Sequence, residues 1–322
     1  MSTSLPELKF LTNSSDNTDY RPAVDPTGKI VIFERTPVSG GGPTTLQMID
    51  VDKPAPVPFL SGTPGPVWQT RPDWCWQTNF VAFNGAPNRD ALPNAWLVAG
   101  DGTNPQSIDG TEGFYYPRWS LWGTLLVTEN HGASASPKPP CNSIFDIYGN
   151  VPSPNIDGAD SKGVALFGGM PAVSSQDLPR IAFAGQPALA GWGGSTSQQA
   201  KYDENTNYIF LNNLDGTVYS SRPMEVGACV SSFNPRYQGR APSWSPDGKT
   251  IAFESNRDNG YAIYLYGTEH GTLKQVTDPG LGGQHAKFFR DGKSLVLCIN
   301  HPHNDPRTRG IAVVDIQHLL ES

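Results

Sequence analysis

The sequence has little charge and no cluster of basic residues. Only 16% of its 322 residues are charged, with 23 Lys and Arg against 30 Asp and Glu, for a net charge of -7. A surface that tracks phosphates needs clustered cations, so nucleic acid is not an expected partner. No apolar stretch approaches the ~20 residues of a membrane-spanning helix. The first ten residues, MSTSLPELKF, lack a basic segment followed by an apolar one, so no secretory leader is read there and a cytoplasmic protein is expected, the alternative being a periplasmic or secreted one whose leader has been removed. The four cysteines, Cys75, Cys141, Cys229 and Cys298, are too far apart for a CxxC metal knuckle. Reduced thiols packed in sheets are the expectation, and a disulfide between distant repeats stays open. No G-x-S-x-G elbow is present, which removes the usual support for serine-hydrolase chemistry.

What the chain does have is turn residues and aromatics. Gly (34) and Pro (30) are abundant, and aromatics reach 10%. That profile belongs to an all-β protein with many turns and enough apolar bulk for a core. The clearest internal unit runs from Ala241 to Arg257, APSWSPDGKTIAFESNR, followed by Ala262–Tyr266 and Leu273–Thr277. It reads as strand, tight turn, strand, loop, strand, tight turn, strand, with Gly248 supplying the positive φ of the first turn. Weaker copies begin at Pro22, Pro72, Pro117, Pro171 and Ala286. The starts lie 50, 45, 54, 71 and 44 residues apart; four-stranded propeller blades repeat at roughly 40–50 residues, so the two longer intervals are read as blades with insertions.

The segment SWSPDGKTIAFESNRD resembles the WD40-like PD40 repeat of the TolB-like β-propellers. The resemblance implies an all-β, six-bladed β-propeller of four-stranded antiparallel blades. It implies one domain, 1–322, with blade starts near residues 21, 71, 116, 170, 241 and 285. It carries less about function, because one fold hosts many activities. The six repeats use up the chain, so a separate catalytic domain of the prolyl-peptidase type is not expected, nor the extra N-terminal domain of TolB. The last repeat lacks its outer strand, and Leu8–Thr12 (LKFLT) repeats the pattern of Leu273–Thr277 (LKQVT). Leu8–Thr12 is therefore expected to complete blade 6, close the ring and remove its open edge.

The first-to-second and third-to-fourth turns are short, whereas the loops of the opposite face are long and varied. Functional residues gather on loops held by a rigid scaffold, so the long-loop face is the expected working face. Four of the six His fall there: His131, His285, His301 and His303. Gln284, His285, His301 and His303 are candidate ligands for a divalent metal, since neutral imidazoles suit transition ions. The set is similar to the metal site of the oligogalacturonate lyase propellers. The competing reading is solvated or hydrogen-bonded loop histidines. Glu129, His131 and Arg257 are candidate catalytic groups, and Arg35, Trp192, Arg257 and His285 candidate ligand contacts. Acid–base work is weighed against ion pairs that tie the inner strands together. Trp192, in a Gly-rich loop, is either a stacking platform or packed under its own loop. Trp74, Trp119 and Trp244 share one repeat position and are expected in the core. The leading expectation is a monomeric binding module for a protein, peptide or carbohydrate. The alternative is a metal-assisted lyase or hydrolase acting on a sugar-acid-like substrate.

Overall fold

The computed structural model describes residues 5–60, 64–120, 123, 125–130, 141–146, 152–155, 166–174, 180–187, 208–213, 238–300 and 308–321. Strand β1 (Leu8–Phe10) is followed by β2 (Asn17–Val24), β3 (Ile30–Pro37), β4 (Thr45–Asp50) and β5 (Val57–Pro58), which pair in that order as one antiparallel sheet. The next sheet holds β6 (Trp68–Trp74), β7 (Phe80–Ala86), β8 (Asn94–Ala99) and β9 (Gln106–Ser107). A third holds β10 (Phe114–Trp119), β11 (Leu125–Asn130), β12 (Cys141–Asp146) and β13 (Pro152–Asn155). Then come β14 (Leu166–Val173), β15 (Arg180–Pro187) and β16 (Tyr208–Asn213), a sheet of three. Strands β17 (Gly239–Trp244), β18 (Thr250–Ser255), β19 (Ala262–Gly267) and β20 (Thr272–Gln275) make the next. The last contains β21 (Gln284–Phe288), β22 (Ser294–Asn300) and β23 (Arg309–Asp315), ordered β1-β23-β22-β21, and the chain ends on a short helix, α1 (Gln317–Leu320).

The architecture is an all-β propeller of four-stranded antiparallel blades. Among the described residues five blades have four strands, where the sequence predicted six. The sheet β14–β16 has three, and residues 214–237, which follow β16, lie outside the described residues. The tight turns are built as their residues dictate. Gly28, Gly123, Gly248 and Gly292 adopt φ of 73°, 65°, 67° and 68°. In the second sheet Asn79, at φ 55°, does this job, a residue whose short polar side chain tolerates the left-handed region.

Apolar side chains of neighbouring sheets meet face to face. Phe33, Val31 and Ile49 pack with Val296, Cys298 and Ile311, and Ile32 and Leu46 with Val81, Phe83 and Trp74. Ala252, Ile263 and Leu265 join Phe288, Leu295 and Leu297. Cys75 and Cys298 are buried free thiols, and burial pushes Cys298 up to about 12. Cys141 lies in β12 without a described side chain, and Cys229 lies outside the described residues. No helix among the described residues is long and apolar enough to cross a membrane.

The N-terminal strand is shorter than Leu8–Thr12. Leu8, Lys9 and Phe10 pair antiparallel with Val314, Val313 and Ala312. Leu11 and Thr12 then leave the ladder, both donating from their N–H to Ile311 O, while Thr12 Oγ1 accepts from Ile311 N at 2.9 Å. Leu8 and Phe10 lean on the Leu297, Ala312 and Val314 core, and Leu11 is buried in the neighbouring one. Full burial of one such side chain is worth about 1.5–3 kcal/mol. Removing residues 1–12 should therefore lower unfolding free energy by about 3 kcal/mol and raise concentration-dependent aggregation through the bared edge of β23. Urea unfolding with light scattering checks this; an unchanged midpoint would show that β1 is dispensable.

Candidate functional site

One backbone feature recurs in all six first strands. Arg21, Arg71, Tyr116, Met170, Ala241 and His285 have φ between 46° and 55°. Each directly precedes the Pro (Ala286 in β21) that opens a sequence repeat. The pairing register shifts at each one. Tyr20 faces Glu34 but Ala23 faces Ile32, so Arg21 and Pro22 share one partner position. The same shift falls between Thr70 and Asp73, Tyr115 and Arg118, Gly169 and Ala172, Arg240 and Ser243, and Gln284 and Lys287. Each is a β-bulge, which bends the strand and re-aims its side chains. Pro suits the position because it has no N–H to leave unpaired.

In three of the sheets the bulged residue's own N–H is taken by the preceding blade. Arg71 N–H donates to Glu34 Oε1, Tyr116 N–H to Asn84 Oδ1 at 3.0 Å, and His285 N–H to Glu254 Oε2 at 2.9 Å. The acceptor always stands opposite the residue before its own blade's bulge, as in the pairs Tyr20–Glu34, Thr70–Asn84 and Arg240–Glu254. Glu129 holds that register position in β11, opposite Tyr115; its side chain lies outside the described residues. The carboxylates are also ion-paired. Glu34 holds Arg21 at 2.9 Å, and Glu254 holds Arg240 at 2.7 Å. Burial opposes the charge on Arg21, yet Glu34 and Tyr116 beside it hold its pKa above the ordinary value.

These residues pack the middle of the channel. The Tyr116 ring has the guanidinium carbons of Arg71, Arg21 and Arg118 at 4.7, 5.5 and 5.8 Å from its centroid, and its hydroxyl accepts from Arg21 at 3.2 Å. His285 sits edge-on to Tyr20, centroids 4.7 Å apart. The Tyr20 hydroxyl donates to Gln284 Oε1 at 2.8 Å and lies 3.1 Å from His285 Nε2. With that proton committed to Gln284, the imidazole donates from Nε2. Burial, and then the cations Arg21, Arg240, Arg118 and Lys287, push His285 well below its ordinary range, so the ring is neutral at pH 7.

The predicted site residues therefore divide. Gln284 and His285 come together, Gln284 through Oε1 and His285 through Nε2, on the Tyr20 hydroxyl. His301, His303, His131 and Trp192 lie outside the described residues. Arg35 is clamped on Asp19 by two bonds of 2.7 and 2.8 Å, rather than on the adjacent Glu34. Arg257 stacks over Phe253 and Tyr264, with its Nε 3.2 Å from Ser255 Oγ. Among the described residues no group of three His, Cys, Asp or Glu is placed to hold a metal ion. Glu34 and Glu254 are both held in ion pairs, with Arg21 and Arg240.

The cavity lies elsewhere. A space of about 390 Å³ is lined by Ala23, Asp73, Arg118, Ala172, Ser243 and Lys287, each two residues beyond a bulge, and by Trp74, Trp119 and Trp244 next to them. Its lining extends to Trp76, Gln77, Ser245, Pro246 and Arg290, so among the described residues it lies toward the short turns. The three Trp are buried as expected, but they also wall this cavity. Lys287 Nζ is 3.0 Å from Asp73 Oδ1, Arg118 is 3.8 Å from the same oxygen, and Asp73 Oδ2 accepts from Trp119 N–H at 3.0 Å. Sequence reasoning missed Asp73, Arg118 and Lys287. The signal was one repeat column, the residue after the Pro, which is charged in three copies and small in the other three.

No family model matches the chain. A curated relative, the uncharacterized peptidase YuxL of Bacillus subtilis, is 37% identical over 77 residues, 24% of this chain and 12% of that protein. Among solved structures, TolB of Acinetobacter baumannii matches 95% of this chain and 73% of its own at TM-score 0.52 and 18% identity. The fold is that of a TolB-like propeller. The β-propeller domain of the Trilobed protease of Pyrococcus furiosus matches at TM-score 0.55 and 11% identity, over 95% of this chain and 96% of that one. Oligogalacturonate lyase of Vibrio parahaemolyticus matches at TM-score 0.53 and 13% identity, over 98% and 95%. At these identities the likeness extends to the fold alone.

The inter-blade clasp is testable. Glu34→Ala strands a buried Arg21 cation and the Arg71 N–H together, so it should cost about 3–5 kcal/mol in urea unfolding. Asn84→Ala, which frees a single N–H, should cost about 1–3 kcal/mol. Glu34→Gln keeps an acceptor and should fall below Glu34→Ala. Equal, small losses in all three would dissolve the clasp.

Proposed function

We propose that the chain is a binding module on a six-bladed ring, closed by β1 on β23, which takes its ligand into the channel mouth on the short-turn side. The observation that carries this reading is the cavity, preformed and walled by three Trp beside buried charges. Concave, mostly apolar spaces with a few placed polar groups are where ligands bind. The first strands support the six-fold count, since β2, β6, β10, β14, β17 and β21 pack in cyclic order and β21 returns to β2. The channel carboxylates Glu34 and Glu254 are committed to cations and backbone N–H groups, which suits a scaffold better than proton transfer. A metal-assisted lyase would depend on His301 and His303, with Gln284 and His285 first released from Tyr20.

Ligand-observed NMR with a mixed fragment library tests the reading. Fragments should bind, and Ser243→Phe, which fills the cavity from β17, should abolish that binding without lowering the melting temperature. Fragments that bind Ser243→Phe as well as the wild type would place the site elsewhere. Turnover of a fragment would make the protein an enzyme.

A further inference from the structure

The cavity at the short-turn mouth carries unbalanced charge. Two cations, Lys287 and Arg118, face one carboxylate, Asp73, and their side chains are only 17%, 8% and 16% exposed. Neither cation is saturated. The Lys287 ammonium has three donors, of which one goes to Asp73. Arg118 spends its NH1 on the carbonyls of Pro72 and Pro117, while its Nε is buried with no partner. Exposed Arg290 stands at the rim, where water screens its charge, so the buried balance is set by Lys287, Arg118 and Asp73. The remaining walls are Trp, Ala and Ser.

We propose that this cavity binds a monoanionic organic carboxylate, its charged end between Lys287 and Arg118 and its apolar body against Trp74, Trp119 and Trp244. The assignment rests on the cavity being the ligand site. One excess positive charge matches one carboxylate, and Asp73 works against a dianion such as phosphate. Arg118 supplies a planar guanidinium and Lys287 a point charge, the usual pair for a carboxylate. The other first strands bring no charge to Lys287: β2 offers Ala23 and Val24, β14 Ala172 and Val173, and β17 Ser243 and Trp244. Burial and then the charge of Arg118 lower the Lys287 ammonium to about 8, against the pull of Asp73. Above that pH Lys287 is neutral, Arg118 and Asp73 cancel, and the attraction for an anion is lost. Below it the attraction is complete.

The test is calorimetric and fluorescence titration of the full chain with 3-phenylpropionate and its neutral amide, at about pH 6.5 and about pH 9.5, where the acid stays ionised. The Trp walls report occupancy directly. At the lower pH the acid should bind at least about tenfold more tightly than the amide, and the preference should shrink at the higher pH. Lys287→Gln should remove the preference at both. Equal affinity for acid and amide in the wild type would overturn the anion assignment while leaving the cavity as a ligand site. If neither compound binds, the anion assignment falls; if Ser243→Phe also leaves fragment binding intact, the cavity reading falls with it. Should Lys287→Gln fail to fold, the wild-type pH series decides alone.

Discussion

The bulge in each first strand is the constraint from which the rest follows. A non-glycine residue at φ near 50° costs of order 1–3 kcal/mol and persists only where its surroundings hold it. Here the holding group is named in three blades: Glu34 for Arg71, Asn84 for Tyr116 and Glu254 for His285. Each bond crosses from one blade to the next. The strain within a strand thus becomes the joint between blades, and the buried polar groups that look out of place in a channel are its fasteners.

The bulge also divides the channel. The bulged residues fill the middle, where Tyr116 is surrounded by Arg21, Arg71 and Arg118 and His285 meets Tyr20. Two residues further on the strands open around the cavity and its Asp73, Arg118 and Lys287. In the middle Glu34 answers Arg21 and Glu254 answers Arg240, whereas in the cavity Lys287 and Arg118 share the single carboxylate of Asp73.

Much of the fold was legible in the sequence because turns and strands are local. Pro-Asp-Gly fixes a turn wherever it stands, and the Gly at position 248 has the expected positive φ. The likeness of Leu8–Thr12 to Leu273–Thr277 pointed to the partner of β23, although Leu11 and Thr12 bend away from the ladder. The site was harder to read. A His or Glu on one repeat is drawn into partnerships with other blades, and no spacing announces them. Tyr20 engages Gln284 across 264 residues and Lys287 reaches Asp73 across 214. Arg35, a candidate ligand contact in the sequence, is held by Asp19, while the adjacent Glu34 points to the other side of β3 and holds Arg21. Loop length drew attention to one face, whereas the side chains that form the described cavity sit on the strands, in one column of the repeat.

Amide hydrogen exchange resolved to single residues tests the central claim most directly. If the clasped bulges hold the blades together, the N–H groups of Arg71, Tyr116 and His285 exchange only through global unfolding and are among the slowest in the protein. Fast exchange at these three, beside slow exchange in the neighbouring ladders of β3, β7 and β18, would mean that the blades are held by their apolar faces alone and that the clasp is incidental.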